Sequence, residues 1–415
     1  VNFARIIIIM TCLLMMISGC TPAAGERGEK QEITLWYWNR SLDEDILAQV
    51  EEVFPNVELD TQKIGGDFRL KLQTTLVGRS GGPDIIAFND WISQYLPYEE
   101  YFVNLYDYGA KDVEEQYLEW KWKLAETQDG EKLIALPLDT GPTGLFYRVD
   151  LFEQAGLPTD PDEVAEQLST WDAYIEAGKQ LQEETGVHMF DSALQVFRAQ
   201  LSQSPMKHFT SENEYIGDEA HMKEMWDRAV SVAEQGLTFG EVSGTDWNAG
   251  LNNGQIASFV SAVWQKKILE DAAPDTSGKW RIARSPGGDG NQGGSFLGVM
   301  NSSEHKELSY QIIEWLMSPE NQTTAYKTYD LFPAAKSSLE SGELSSEEAF
   351  FGGQDTSEVF VESAKNVPET YLSEYKQLVN SIFEQELQLV EKRGKDPEQA
   401  WNDVQKAISR ELSRR

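Results

Sequence analysis

The sequence predicts an α/β protein built as two lobes. Three observations carry that expectation. The chain has 415 residues, and a single hydrophobic core stops growing beyond about 250–300. Strand-like apolar runs alternate with amphipathic helical runs through the first hundred residues, the pattern of a parallel α/β sheet. No internal repeat and no long Pro/Ser linker divides the halves, so the chain is expected to cross between them more than once. Apolar residues make up 40% and aromatics 11%, ample for two cores, and the formal charge is −34. Such acidity excludes a nucleic-acid partner, because phosphate binding rests on Lys and Arg. It equally excludes a protein that lies flat on anionic lipid.

Residues 32–38 are rich in β-formers and predict the first strand. In 43–54, Ile46, Leu47, Val50, Val53 and Phe54 recur at helical spacing before Pro55, behind an acidic start that suits a helix N-terminus. A strand over 57–64, a helix over 67–78 and a short continuous strand over 83–88 follow. The stretch 113–127 reads as helix-rich. Strands over 132–138 and 143–147 flank Asp139-Thr140-Gly141-Pro142, and a short helix over 150–155 closes at Gly156. Long helices are predicted over 171–183 and 220–234. Residues 254–263 read as a helix or turn running into a strand. A strand over 279–284, a Gly-rich loop over 286–294 and a strand over 295–300 come next. A helix over 307–317 stops before Pro319, and the tail, 371–389 and 397–412, gives two more helices.

The first residues read as a secretory leader. Arg5 is the only charge before the apolar run 6–17, which is too short to span a bilayer and fits a signal-peptide core. Ile17-Ser18-Gly19-Cys20 resembles the lipobox of bacterial lipoproteins, in which the Cys is diacylated after cleavage; the other reading is an ordinary leader with a chance Cys. On the lipoprotein reading, 1–19 is the signal peptide, Cys20 carries the lipid, and 20–30 is a flexible tether. The only other cysteine, Cys12, leaves with the leader, so no disulfide is expected.

Several chemistries lack their residues. There is no phosphate-binding Gly-x-x-x-x-Gly-Lys-Ser/Thr, no dinucleotide fingerprint and no Gly-x-Ser-x-Gly elbow. The four histidines, His188, His208, His221 and His305, are scattered and read as solvated surface groups. No metal, cofactor or catalytic set is predicted. With 69 acidic residues some carboxylate pairs will fall at glycosidase-like separations by chance, so a secreted glycosidase stays as a minor alternative.

The most specific stretch is 130–158, Gly-Glu-Lys-Leu-Ile-Ala-Leu-Pro-Leu-Asp-Thr-Gly-Pro-Thr-Gly-Leu-Phe-Tyr-Arg-Val-Asp-Leu-Phe-Glu-Gln-Ala-Gly-Leu-Pro. It resembles the signature of the family 1 extracellular solute-binding proteins, the sugar receptors of ABC importers related to maltose-binding proteins. It departs from the usual pattern at Ile134, where Tyr is common, and at Arg148, where Asn is. Residues 33–39, 83–88, Thr170-Trp171-Asp172 and 253–259 before Trp264 agree, so the resemblance covers about 30–412. It implies a type II-like periplasmic-binding-protein fold: two lobes, each a mixed sheet flanked by helices, with a hinge and an interlobe cleft. One lobe would take 30–142 and 290–330, the other 143–289 and 331–415, with hinges at Thr140-Gly141-Pro142 and 284–288. It further implies a monomer on the outer face of the bacterial cytoplasmic membrane, held by its lipid alone, that captures a saccharide (an oligosaccharide by preference) and delivers it to permease subunits. A polyol, glycerol phosphodiester, polyamine or peptide would suit the same fold.

A sugar presents apolar C–H faces and a ring of hydroxyls, so its site needs aromatic plates and hydrogen-bonding groups that replace water. Open α/β sheets bind ligands beyond their strand ends. Candidates there are Trp38, Asn39 and Arg40 after the first strand, and Asn89, Asp90 and Trp91 after the third. Asp139 and Thr140 lie at the crossover, with Trp247 and Trp264 in the second lobe. Gly294 and Ser295 offer backbone N–H groups near the hinge, and Phe332 opens the return. Trp264 reads as a ligand plate, as the family often stacks an aromatic there. Trp91 and Trp247 read equally as plate or core. Asp139 reads as ligand contact or hinge cap, and Arg40 as a contact for an acidic sugar or a partner of Asp43. Trp36, Trp171, Trp226, Trp315 and Trp401 read as packing, and Trp120 and Trp122 as either.

Overall fold

The computed structural model describes residues 30–38, 40–78 and 81–414. The leader, Cys20, most of the tether and Asn39 lie outside the described residues. Ten strands are present: β1 (Gln31–Tyr37), β2 (Val57–Lys63), β3 (Ile85–Phe88), β4 (Ala135–Pro137), β5 (Asp139–Thr140), β6 (Thr143–Arg148), β7 (Ser258–Ala262), β8 (Trp280–Ala283), β9 (Phe296–Val299) and β10 (Phe332–Pro333).

The first sheet has the order β2-β1-β3-β9-β4. β1, β2 and β3 are parallel, as the alternation predicts, but β9 runs antiparallel to both β3 and β4. The sheet is thus mixed, as the family resemblance implies, with the parallel pairing confined to β1, β2 and β3. The physical reason is the route of the chain. β9 returns from the other sheet, so it enters at the edge where β3 and β4 end: Phe296, its first residue, lies opposite both Phe88 and Pro137, their last. The ends of β1, β3 and β4 and the start of β9 therefore share one edge.

The second sheet, β7-β6-β8, is antiparallel throughout. All six residues of β6 are buried, because both faces of this sheet are covered. Successive side chains alternate: Leu145 and Tyr147 pack with helices Trp171–Thr185, Ala193–Gln203 and Lys376–Arg393, whereas Phe146 packs on Phe259, Phe351 and Phe360 on the other side. The first sheet has its own apolar cluster, from Ile33 through Leu138 and from Phe296 to Ala334.

Some elements differ from expectation. The helix expected over 43–54 is two short ones, Glu44–Leu47 and Val50–Val53, because the Gln49 N–H bonds Ile46 O in a tighter turn. The region 113–127 holds 3₁₀ turns and only a five-residue helix, Glu119–Lys123. Pro319 does not merely stop a helix. It opens the next, Pro319–Tyr329, at the first position, where its missing N–H costs nothing. Trp36, Trp171, Trp226 and Trp401 are buried, as are Trp120 and Trp122.

His208 is a correction. It is 2% exposed, stacks on Phe383 with centroids 5.0 Å apart, and places Nε2 2.7 Å from Asn380 Oδ1. Burial pushes its pKa from 6.5 to about 3, against the pull of the Asn380 bond. The folded protein therefore binds fewer protons than the unfolded chain between those values. Stability from this group is complete above pH 6.5 and is lost as pH falls toward 3. Denaturant midpoints are expected to fall between pH 7 and 4.5, and His208→Leu should flatten part of that slope; an unchanged slope would contradict the assignment.

Candidate ligand-binding cleft

Three segments cross from one sheet to the other, and they touch. β5 pairs with β10, Thr140 opposite Phe332 and Asp139 opposite Pro333. The backbone of Gly141 and Pro142 lies against 291–292: the Gln292 N–H donates to Gly141 O at 2.8 Å, and the Gly141 N–H donates to Asn291 Oδ1 at 2.8 Å. Contact this close demands glycine. A Cβ on Gly141 would sit 2.0 Å from the Gln292 carbonyl oxygen, and one on Gly294 (φ +91°) 2.6 Å from the Asp139 carbonyl oxygen and 2.8 Å from Lys121 Nζ.

An aromatic wall stands at the shared edge of the first sheet. Trp38 follows β1, Phe68 opens the helix Phe68–Gly78, and Trp91 and Tyr95 belong to the turn after β3. Ring centroids are 5.2 Å apart for Trp38–Phe68, 6.1 Å for Trp38–Trp91 and 5.6 Å for Trp91–Tyr95. Trp38 and Trp91 remain half-buried. From the other sheet comes Trp264, directly after β7. It is 37% exposed, with its indole N–H donating to Gln292 O at 2.9 Å. Gly293 lies between the two sides, its Cβ position 3.5 Å from Trp264 Nε1 and 3.9 Å from Asn89 Oδ1.

Charged groups gather beside these rings. Asp90 forms an ion pair with Lys376 at 2.6 Å. Burial would raise the Asp90 carboxyl, but Lys376, Lys121 and Lys207 override it and hold the pKa below the ordinary value. Lys121 is completely buried; its Nζ has no hydrogen-bond partner and sits 3.6 Å above the Phe296 ring. Burial lowers its pKa to about 7, against the pull of Asp139 and Asp90. Asp139 is raised by burial, partly offset by Lys121 and by the Ser295 N–H, which donates to Oδ1 at 2.6 Å. Two further buried polar atoms lack partners here, Gln292 Nε2 and Tyr95 Oη. Contacts that join the sides include Asp90 with Lys376, the Ser93 hydroxyl donating to Ser373 O at 3.2 Å, the Gln128 amide donating to Ser211 O, and the Lys123–Glu369 ion pair. Beside them runs a groove of about 590 Å³ lined by Leu96, Thr127, Gln128, Pro205, Ser211 and Tyr371.

The structure thus brings Trp38, Asn89, Asp90, Trp91, Asp139, Trp264, Gly294 and Ser295 to the crossing region. It corrects others. Trp247 is 2% exposed on the helix Gly244–Asn252 and packs on Phe259, so it is core. Phe332 is fully buried against Tyr326 and Phe360. Thr140 is fully buried, with its hydroxyl bonded to the carbonyls of Phe332 and Pro333. Arg40 is exposed and has no ion pair among the described residues; Asp43 instead caps the following helix and accepts from Thr328. Sequence reasoning missed Phe68, Tyr95, Lys121, Lys207, Gln292 and Lys376. Only Lys121 left a trace, as a charge wedged between Trp120 and Trp122.

Two α/β lobes, joined by touching crossovers and each bringing aromatic rings to the crossing region, define a ligand-capturing protein. Among the described residues no helix is long and apolar enough to cross a membrane. The profile of the bacterial extracellular solute-binding proteins matches residues 47–352, and the chain belongs to that family. The chain is 26% identical over 297 residues to a lactose-binding protein of Rhizobium radiobacter, covering 66% of this chain and 68% of that protein. It is 25% identical over 342 residues to an arabinooligosaccharide-binding protein of Bacillus subtilis (strain 168), covering 76% of each. A crystal structure of an extracellular solute-binding protein of family 1 superposes with a TM-score of 0.86 at 30% identity, covering 90% of this chain and 98% of that one. The fold is also that of an ABC-transporter-associated binding protein from B. animalis subsp. lactis Bl-04 in complex with β-1,6-galactobiose: TM-score 0.71, 24% identity, 91% and 97% covered.

Proposed function

We propose that this chain is the receptor of an ABC importer, that it captures a saccharide between its lobes, and that it hands the ligand to membrane permease subunits without altering a covalent bond. The observation that carries this reading is the pairing, across the crossing segments, of half-exposed indole plates (Trp38 and Trp91 on one side, Trp264 on the other) with buried donors that lack partners, Lys121 Nζ and Gln292 Nε2. Apolar plates suit the C–H faces of a sugar ring. Unpartnered buried donors each cost about 1–3 kcal/mol, which a hydroxyl-bearing ligand would offset.

On this reading Asn89, Asp90, Asp139, Gly294 and Ser295 contact the ligand or hold its contacts in place. The lobes are 30–142 with 290–330 and 143–289 with 331–415. They close about the touching segments near Gly141, Gln292 and Phe332. Cys20 bears a lipid that holds the monomer to the outer face of the cytoplasmic membrane. The test is titration of intrinsic tryptophan fluorescence, with small-angle scattering in parallel, against neutral and acidic oligosaccharides. A saturable change with at least one glycan is expected; silence across the whole panel would end the sugar reading.

A further inference from the structure

The charge at the crossing region opposes the charge of the chain. The whole sequence carries −34. Yet the Asp90 carboxylate is within electrostatic reach of three ammonium groups, Lys376, Lys121 and Lys207. The other carboxylate acting on this cluster is Asp139, beside Lys121. Asp90 is already paired with Lys376, and neither Lys121 nor Lys207 forms an ion pair among the described residues, so an incoming anion would find two amines without a paired carboxylate.

The hydrogen bonding agrees. Only Lys376 has an acceptor, Asp90. Lys121 has none, although it is completely buried. Half-buried Lys207 donates no hydrogen bond among the described residues; burial and Lys376 push its pKa down while Asp90 opposes them. The cluster also spans both sides of the cleft. Lys121 and Asp90 belong to segments packed with the first sheet. Lys376 opens a helix packed with the second, and Lys207 lies beside His208, which stacks on that helix. A second groove nearby is lined by acids such as Glu99, Asp129 and Glu374, but none of them forms an ion pair with Lys121 or Lys207 among the described residues.

We infer that the captured saccharide is acidic, and that a carboxylate of a uronic-acid residue is received by Lys121 and Lys207 beside the Asp90–Lys376 pair. This rests on the sugar-receptor reading and names its substrate class. A neutral sugar would give these ammonium groups an acceptor but no countercharge. A carboxylate gives both, and hydrogen bonds to charged groups are the stronger kind, worth about 1.5–3 kcal/mol each.

The experiment is isothermal titration of the full soluble domain with matched disaccharides: uronides of galacturonate, glucuronate and mannuronate, their neutral counterparts from galactose, glucose and mannose, and sulfated disaccharides. At least one uronide is expected to bind about 10-fold or more tighter than its neutral counterpart. Lys207→Gln should remove most of that preference while leaving affinity for the neutral counterpart nearly unchanged. Lys121→Met, which removes a donor that any hydroxyl-bearing ligand would use, should weaken both sugars, the uronide more than its neutral counterpart; because Lys121 is buried, its folding is checked by circular dichroism, and the half-buried Lys207 variant decides if it fails. Neutral sugars binding as tightly as uronides, or a preference untouched by Lys207→Gln, would overturn the inference and leave sugar capture standing. Sulfated sugars binding tighter than every uronide would also overturn it. No binding anywhere in the panel would sink both readings.

Discussion

Trp264→Ala is expected to weaken ligand binding by about 10–100-fold while lowering the thermal midpoint much less than a core truncation does. Its ring is 37% exposed, and its one polar bond goes to Gln292 O. Truncating a half-open aromatic anchor removes contact area that only the ligand completes, and such anchors typically cost more than about 1–2 kcal/mol of binding when lost. The folding cost is smaller than at a closed core site, because more than a third of the residue is already open to water. Trp247→Ala is the control. That side chain is 2% exposed and packs in a closed aromatic cluster, so its loss should lower folding stability by about 3–5 kcal/mol. Calorimetric titration and thermal melts on both variants separate the roles. If Trp264→Ala kept full affinity, the plate assignment would fail.

Gly141→Ala should damage the molecule more than any other single methyl group considered above. The added carbon would sit 2.0 Å from the Gln292 carbonyl oxygen and 3.3 Å from Trp264 Nε1. Real Cβ atoms do not approach so closely, so the two crossing segments must separate. That breaks the 2.8 Å bond from Gln292 N–H to Gly141 O and draws Gln292 away from Trp264. Overpacking of this kind costs about 1–3 kcal/mol, and the backbone bonds lost with it push the total to the upper end or beyond. Both the denaturant midpoint and ligand affinity are expected to drop. Gly65→Ala, where nothing lies within 4 Å of the new carbon, should change neither. A Gly141→Ala variant as stable as Gly65→Ala would mean that the crossing is not tightly packed.

The fold was largely readable because its cues are local. The run ahead of Trp38, the continuous apolar stretch in 83–88 and the apolar run Leu145-Phe146-Tyr147 each announce a strand through side-chain pattern alone. The direction of β9 was not readable, since it depends on which edge a chain re-enters after some 150 residues. The site divides along the same line. Trp38, Asn89 and Trp264 follow strands, so strand ends pointed to them. Lys376, Lys207 and Gln292 come from a helix start and two loops, and only the folded chain brings them near Asp90 and Trp264. Trp247 and Phe332 misled because an aromatic residue beside polar neighbours looks the same in sequence whether its ring faces a ligand or a core. Cover from Phe259 in one case and Tyr326 in the other decides the matter.

Asp90 with Lys376, Ser93 with Ser373 and Gln128 with Ser211 are among the contacts that tie the two sides together. They act as a latch. A molecule held behind them leaves only when they part, so the time it stays follows how often the latch springs rather than the strength of its own contacts alone.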